Sequence, residues 1–159
     1  MEHLWSPWRM KYIEGKQHEE GCVFCNRPLR PDGMENLIVY RGEWSYVILN
    51  LYPYTSGHLM VVPFDHQPSL ELLAQEARAE MMELLAHSVE VLRTVYRPNG
   101  FNLGANLGEA GGAGIAEHIH LHVVPRWFGD TNFMSTVGET RVVPESLEDT
   151  YRKVKTAWE

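Results

Sequence analysis

Hydrophobic and polar positions divide the chain into short runs with the period of strands and one long run with the period of a helix. The short runs are rich in branched and aromatic residues and are bounded by turn residues, as is typical of strands. RGE, between the first two runs, is short enough to connect a hairpin. We therefore predict strands in LIVY (37–40), WSYVILN (44–50), HLMVVPF (58–64) and FNLGANLG (101–108).

Two segments have the spacing of amphipathic helices. Apolar residues recur at helical intervals from Ser69 to about Tyr96, with Ser69 as the expected N-cap and RPNG after the last turn. In the C-terminal segment PESLEDTYRKVKTAW, Ser146 and Asp149 have the spacing of a capping box, with Asp in place of the usual Glu or Gln. Strands on both sides of one long helix indicate an antiparallel α+β domain.

The segment HIHLHVVPRW, residues 118–127, alternates histidines with branched apolar residues. In a strand, His118, His120 and His122 share one face, and the apolar residues between them share the other. Three imidazoles side by side repel one another when protonated, so packing alone does not explain them. We therefore predict a strand with one face for burial and one for chemistry.

Length and composition limit the class of protein. A chain of 159 residues is long enough for one domain with a core, and we predict a single domain over residues 1–159. Residues 1–20 begin with an aromatic-rich stretch, which we predict to be an arm that packs on the body or on a second subunit. The formal net charge of −7 argues against broad binding to nucleic acid or anionic membranes.

The expected location is the cytoplasm. No apolar run has the length of a transmembrane helix, and the N-terminus lacks the apolar stretch of a signal peptide. Cys22 and Cys25, in GCVFC, are too few and too close for the disulfide framework of a secreted domain. They are predicted to be reduced ligands or a redox pair.

The spacing along the histidine strand singles out its middle residue. Same-face neighbours lie roughly 6.6 Å apart, so His118 and His122 are about 13 Å apart and cannot both touch one reacting atom. A neutral imidazole, with a pKa near 6.5, can attack phosphorus and form a covalent phosphoramidate. We therefore predict that His120 is a nucleophile. The glycine-rich loop GEAGGAG, residues 108–114, supports a phosphate ligand, because glycine lets backbone N–H groups approach an anion.

The motif HIHLHVV resembles the signature of the histidine triad (HIT) family of nucleotide hydrolases and transferases, and NLYPYTSGHLMVVP is similar to that family's upstream strand motif. LWSPWRMKYI, LNLYPYTSGHLMVVP and HVVPRWFGDTNFM are most similar to the branch of bacterial diadenosine tetraphosphate phosphorylases and related hydrolases. The resemblance covers nearly the whole chain. It implies a histidine triad α+β fold, an antiparallel sheet with one long helix and a C-terminal helix, and a homodimer that extends the sheet.

The resemblance also implies roles for individual residues. His120 is the expected nucleophile on the α-phosphate of a nucleotide, His122 the contact to the phosphate or the departing group, and His58 the support of this cluster. Asn50 is expected to hold the ribose hydroxyls. Further substrate-binding residues are expected along the phosphate path: Asn106, Gly112, Ala113 and Gly114. Phosphorylase-like members tend to carry a serine near Gly114, and this chain has Gly-Ala-Gly there, which puts the binding of an acceptor phosphate in doubt.

The two cysteines need further partners if they bind metal. Cys-x-x-Cys supplies half of a tetrahedral zinc site, and zinc also takes imidazole nitrogen. Some family members complete this site with two histidines, which correspond here to His66 and His118, so we expect a structural zinc on Cys22, Cys25, His66 and His118 and no organic cofactor. Alternatively, the cysteines are a redox pair and His66 is a surface residue.

These features predict an enzyme that transfers a nucleotidyl group from a dinucleoside polyphosphate, such as diadenosine tetraphosphate, to phosphate or water through a covalent nucleotidyl-histidine. Three alternatives stay open. The chain is a nucleoside phosphoramidate hydrolase, a nucleotide-binding regulator with vestigial catalysis, or a metal enzyme whose histidines hold a catalytic ion. A straight strand cannot converge all three histidines on one ion, which argues against the last.

Overall fold

Five antiparallel strands form a sheet in the order β1-β2-β3-β5-β4 within residues 20–132 and 145–159, which are the residues described by the computed structural model. The first three strands form a meander, and β5 inserts between β3 and β4. The strands have the following bounds: β1 Ile38–Arg41, β2 Ser45–Leu49, β3 Leu59–Pro63, β4 Gly100–Gly104 and β5 Leu121–Arg126.

Three α-helices accompany the sheet in the described residues: the single turn α1, Val23–Asn26, the long α2, Gln75–Tyr96, and the C-terminal α3, Leu147–Trp158. Every residue of β2 and β3 is buried, as expected for central strands covered on both faces. Helix α2 covers one face through an apolar stripe that includes Met81, Leu85 and Leu92. This α+β architecture is the one predicted.

The long helix begins later than its apolar spacing predicts. Leu70–Leu72 form a short 3₁₀ turn, and Leu73 and Ala74 then adopt extended backbone conformations before the helix starts at Gln75. Ser69 is not its N-cap, because Ala74 occupies that position; Ser69 instead precedes the 3₁₀ turn, and its hydroxyl bonds the Glu71 carboxylate. Periodicity alone could not separate the 3₁₀ turn from the helix, since both place apolar residues three or four positions apart.

The C-terminal helix begins as predicted. The Ser146 hydroxyl accepts a hydrogen bond from the Asp149 backbone N–H at 3.1 Å and donates one to the Asp149 carboxylate at 2.8 Å. This arrangement satisfies one of the backbone donors that a helix N-terminus leaves without partners. The aromatic arm predicted for residues 1–20 lies, except for Glu20, outside the described residues. Among the helices that the structure describes, none combines the length and the apolar character that membrane crossing requires.

Candidate functional site

The histidine segment enters the sheet later than predicted. Only its second half, from Leu121, belongs to β5, where His122 lies opposite Met60 of β3 and Gly104 of β4. Ahead of the strand, Ile119 N–H donates to the Gln67 carbonyl at 2.8 Å instead of joining a regular ladder. The face that carries the histidines is itself largely covered, since His118 is fully buried and His120 is only 7% exposed.

The hydrogen bonding and burial of His120 favour a neutral ring with the proton on Nδ1. Its Nδ1 lies 2.9 Å from the carbonyl oxygen of His118, and a carbonyl only accepts, so Nδ1 carries the proton. Burial lowers the pKa of His120 below its ordinary value, which favours the neutral ring. A neutral imidazole protonated at Nδ1 has a free lone pair at Nε2, and this ring lines a cavity beside α1.

A chain of three hydrogen-bonding groups fixes the tautomer of His122. The Tyr54 backbone N–H donates to Nδ1 of His58 at 3.1 Å, so the proton of neutral His58 is on Nε2. That Nε2–H donates to Nδ1 of His122 at 2.9 Å, so the proton of His122 is in turn on its own Nε2. His122 therefore offers an N–H donor from a ring that lines the same cavity as His120.

Both rings of this pair are kept neutral. Burial, followed by the nearby His122 and His120, lowers the pKa of His58 to about 3. Burial and the nearby His120 lower the pKa of His122 to about 4. The order of donors and acceptors described above requires neutral rings, so the low pKa values and the hydrogen bonds agree.

The cavity has a volume of about 220 Å³ and brings together most of the residues predicted to bind substrate. Asn50 lies in its wall, and the Asn50 Oδ1 accepts from the Tyr52 backbone N–H at 2.9 Å. Asn106, Gly112 and Gly114 line the cavity too. Sequence reasoning missed the apolar part of the wall, whose members come from α1, from β2 and β3, and from the loops beside the sheet: Val23, Phe24, Leu37, Ile48, Leu49, Met60 and Ile115.

The glycine-rich loop is folded on itself more tightly than expected. The N–H groups of Gly111, Gly112 and Ala113 donate to carbonyls inside the loop at 2.9 to 3.2 Å, so they are not directed at an anion. The Asn106 side chain holds the loop by donating to the Gly112 carbonyl at 3.3 Å. The loop is therefore a shaped wall of the cavity rather than an open row of backbone donors.

The four predicted metal ligands form one cluster, with their donor atoms within 4.8 Å of one another. Nδ1 of His118 lies 3.4 Å from Sγ of Cys22 and 3.2 Å from Nδ1 of His66, which lies 3.3 Å from Sγ of Cys25. His118 Nε2–H donates to the Pro63 carbonyl at 2.9 Å, which leaves its Nδ1 lone pair toward the cluster.

The cluster fits a tetrahedral zinc ion. Zinc bonds of about 2.3 Å to sulfur and about 2.05 Å to nitrogen place sulfur and nitrogen ligands about 3.6 Å apart and two nitrogens about 3.3 Å apart. The observed separations are 3.3 to 3.6 Å and 3.2 Å. Four protein ligands close the coordination sphere, so a zinc ion here has no position for a reactive water. His118 thus belongs to the metal cluster, whereas His120 and His122 belong to the cavity.

The HIT domain profile matches residues 33–129, which contain the cavity histidines and two of the four cluster residues. The chain belongs to the HIT domain family. It is 41% identical to the AP-4-A phosphorylase of Mycobacterium tuberculosis strain H37Rv, over 99% of this chain and 85% of that protein.

Solved structures of HIT proteins have the same fold. A zinc-bound histidine triad family protein of Mycobacterium smegmatis is 30% identical, with a TM-score of 0.70 over 87% of this chain and 93% of the other. A hypothetical histidine triad nucleotide-binding protein of Sulfolobus tokodaii is 25% identical, with a TM-score of 0.68 over 86% and 91% of the two chains. The family and the fold inferred from the histidine motif are therefore confirmed.

Proposed function

We propose that this HIT protein is an enzyme that cleaves dinucleoside polyphosphates such as diadenosine tetraphosphate, with His120 as a covalent nucleophile. The observation that carries the proposal is the pairing of opposite tautomers in one cavity. His120 has a lone pair at Nε2, and His122 has an N–H at Nε2. The 41% identity to an AP-4-A phosphorylase supports the substrate class.

His120 and His122 have different roles in the first step because they are opposite tautomers. Nε2 of His120 attacks the α-phosphorus, a P–N bond forms, and the P–O bond to the departing nucleoside triphosphate breaks. The His122 N–H donates to the phosphate or departing oxygen, where negative charge increases. Asn50, in the cavity wall, is proposed to hold the ribose, and the apolar part of the wall is proposed to take the nucleobase.

In the second step an acceptor displaces His120 from phosphorus. Phosphate as acceptor gives ADP, and water gives AMP. Gly112 and Ala113 use their N–H groups within the loop, and the loop lacks the serine hydroxyl of phosphorylase-like members. Loss of one such hydrogen bond costs on the order of 1 kcal/mol, less than tenfold in affinity. We therefore infer a weak affinity for phosphate, with phosphorolysis slightly favoured over hydrolysis.

The zinc is proposed to be structural and to take no part in either step, and no organic cofactor is needed. We also propose that the protein is a single-domain, cytoplasmic homodimer whose partners are small nucleotides and neither nucleic acid nor membranes. The homodimer is supported by the edge strand β4, where Leu103 is 50% exposed. An apolar residue on an unpaired edge favours pairing with another strand.

Chromatography of the products of diadenosine tetraphosphate tests the proposal. With phosphate present we expect ADP and ATP, and without it AMP and ATP formed more slowly. AMP and ATP alone, with no ADP at any phosphate concentration, would overturn the phosphorylase preference and leave a hydrolase. Rapid cleavage of a nucleoside phosphoramidate with no cleavage of the dinucleotide would show that phosphoramidates, and not dinucleoside polyphosphates, are the substrates. Nucleotide binding without turnover of either compound would identify a regulator.

A further inference from the structure

Phe24 lies between the two cysteines of the metal cluster in sequence and between two histidines of different function in space. Its ring centroid is 5.6 Å from that of His118, a residue of the cluster, and 4.7 Å from that of His120, the proposed nucleophile. The side chain is only 4% exposed and also lines the cavity. One buried ring therefore contacts the cluster, the nucleophile and the nucleotide cavity.

The backbone that carries Phe24 cannot hold its own position. Helix α1 is a single turn of four residues, and so short a helix is unstable unless other contacts stabilise it. Cys22 precedes this turn and Cys25 lies within it, so a metal ion on the cluster anchors α1 at two points. A third anchor is the Tyr46 hydroxyl, which donates to the Phe24 carbonyl at 2.7 Å.

We propose that Phe24 is a positioning residue through which metal occupancy of the Cys22, Cys25, His66 and His118 cluster controls nucleotide affinity. This inference rests on the proposed function and concerns the same cavity. When the metal leaves, α1 loses its attachment at Cys22 and Cys25 and is held by the Tyr46 bond and apolar packing, so the Phe24 ring is fixed less firmly against His120 and in the cavity wall. Nucleotide binding must then also order the cavity wall, and the free-energy cost of this ordering lowers the affinity for the nucleotide.

Coupling between two sites is reciprocal. If metal raises the affinity for nucleotide by some factor, nucleotide raises the affinity for metal by the same factor. If zinc only stabilises the fold, the affinities of the folded protein for zinc and for nucleotide do not depend on each other. The reciprocal effect is therefore a readout that does not depend on enzyme activity.

The first experiment measures the dissociation constant of AMP by calorimetry, for zinc-loaded and zinc-stripped protein. For wild type we expect AMP to bind at least about fivefold more weakly after zinc is removed. In Phe24→Ala, AMP binds more weakly in both forms and the zinc-dependent ratio falls to near one, whereas Phe24→Leu, which retains an apolar side chain, gives an intermediate ratio. Ile48→Val is the matched control, because Ile48 lines the same cavity but lies on β2 and not on α1. We expect this variant to keep the wild-type ratio.

The second experiment starts from loaded, folded protein, so it also decides the case in which the stripped protein unfolds. Release of zinc to a coloured chelator is timed with and without saturating AMP. We expect AMP to slow the release in wild type and in Ile48→Val, and to leave it unchanged in Phe24→Ala. Near-ultraviolet circular dichroism checks that the loaded variants keep the wild-type fold.

The outcomes separate this inference from the proposed function. If AMP binds and zinc release is the same with and without AMP, the coupling is refuted and the nucleotide site stands. If Phe24→Ala keeps the wild-type zinc dependence, the coupling does not pass through Phe24 and the inference fails. Absence of AMP binding to the loaded wild type would instead contradict the proposed function.

Discussion

Nε2 of His58 lies 2.9 Å from Nδ1 of His122, and the proton between them belongs to His58. The assignment follows from the Tyr54 backbone N–H, which donates to the other nitrogen of His58. His58 is fully buried, so this geometry is shielded from exchange with water. The hydrogen bonds of the pair therefore require neutral rings, and protonation of either ring destabilises the folded protein.

Acidification is expected to destabilise the fold through this pair. In the folded protein the pKa of His122 is about 4 and that of His58 about 3, whereas their ordinary value is 6.5. Between these values the unfolded chain binds more protons than the folded chain, so stability is full above about pH 6.5 and is lost as the pH falls toward 4. Each histidine lowers the free energy of unfolding by up to about 1.4 kcal/mol per pH unit.

Urea denaturation between pH 4.5 and 7.5 measures this slope. A metal ion on the cluster would also bind less tightly in acid, because metal ligands bind in their deprotonated forms, so the wild-type slope contains that contribution. His122→Gln cannot titrate at this position and keeps the cluster, so the difference between its slope and the wild-type slope reports the contribution of His122 together with its effect on the pKa of His58. Equal slopes would show that the His122 pKa is close to its ordinary value in the folded protein.

Removal of the His120 imidazole is expected to abolish turnover. His120→Ala lacks the attacking nitrogen, so kcat falls by at least about 1000-fold, while AMP affinity changes by less than about tenfold, since covalent chemistry acts mainly on kcat. Quenching with alkaline denaturant, in which a P–N bond to histidine survives, leaves label from an α-phosphate-labelled substrate on wild-type protein and none on the variant. His87→Ala, on the exposed surface of α2, is the control and retains wild-type turnover. Label retained by His120→Ala would place the nucleophile elsewhere.

Zinc bound to the cluster is expected to stabilise the fold. Cys22→Ser removes one of four ligands, and we expect it to reduce the zinc content to well below one per chain and the melting temperature by at least about 5 °C, because a loss of a few kcal/mol shifts the midpoint of a domain of this size by several degrees. Elemental analysis and calorimetry check both values. We expect chelator-treated wild type to have the same melting temperature as Cys22→Ser. If Cys22→Ser has the same melting temperature as untreated wild type, the metal does not stabilise the fold.

The sequence was sufficient for the family, the α+β fold class and the members of the cluster. The alternation of HIHLHVV carried this information, because few structural requirements place three histidines in register. The same alternation was misleading about β5, which begins at Leu121. His118 and His120 precede the strand, where the backbone carbonyl of His118 fixes the tautomer of His120, a relationship that side-chain alternation cannot encode.

Two parts of the site could not be predicted because their contacts are long-range or made by the backbone. Phe24 follows Cys22 by two positions, but only the fold brings its ring against His118 and His120. Tyr54 acts through its N–H, which any residue other than proline supplies, so its identity gives no signal. Cysteine spacing was the one local indication that the turn around Phe24 lies near a functional cluster.

The compact loop beside the cavity leads to the last prediction. A Cβ added to Gly111 would lie 2.3 Å from the carbonyl oxygen of Leu107, far inside van der Waals contact, so Gly111→Ala must open the turn. That change disturbs the neighbouring turn bond from the Gly112 N–H to the Glu109 carbonyl, and with it the wall formed by Gly112 and Gly114. The loop is largely exposed, so we expect the melting temperature to change by less than about 2 °C.

Activity is expected to respond more strongly than stability, because misplacement of a wall next to the reacting phosphate by about 1 Å can lower the rate by one or two orders of magnitude. We predict that kcat/KM for diadenosine tetraphosphate falls about tenfold or more in Gly111→Ala. Gly100→Ala is the matched control, since a Cβ there meets no atom within 4 Å, and it should retain both activity and melting temperature. Wild-type kcat/KM in Gly111→Ala would show that the folded shape of the loop does not matter for the reaction, and an equal loss in Gly100→Ala would show that the effect is not specific to the loop.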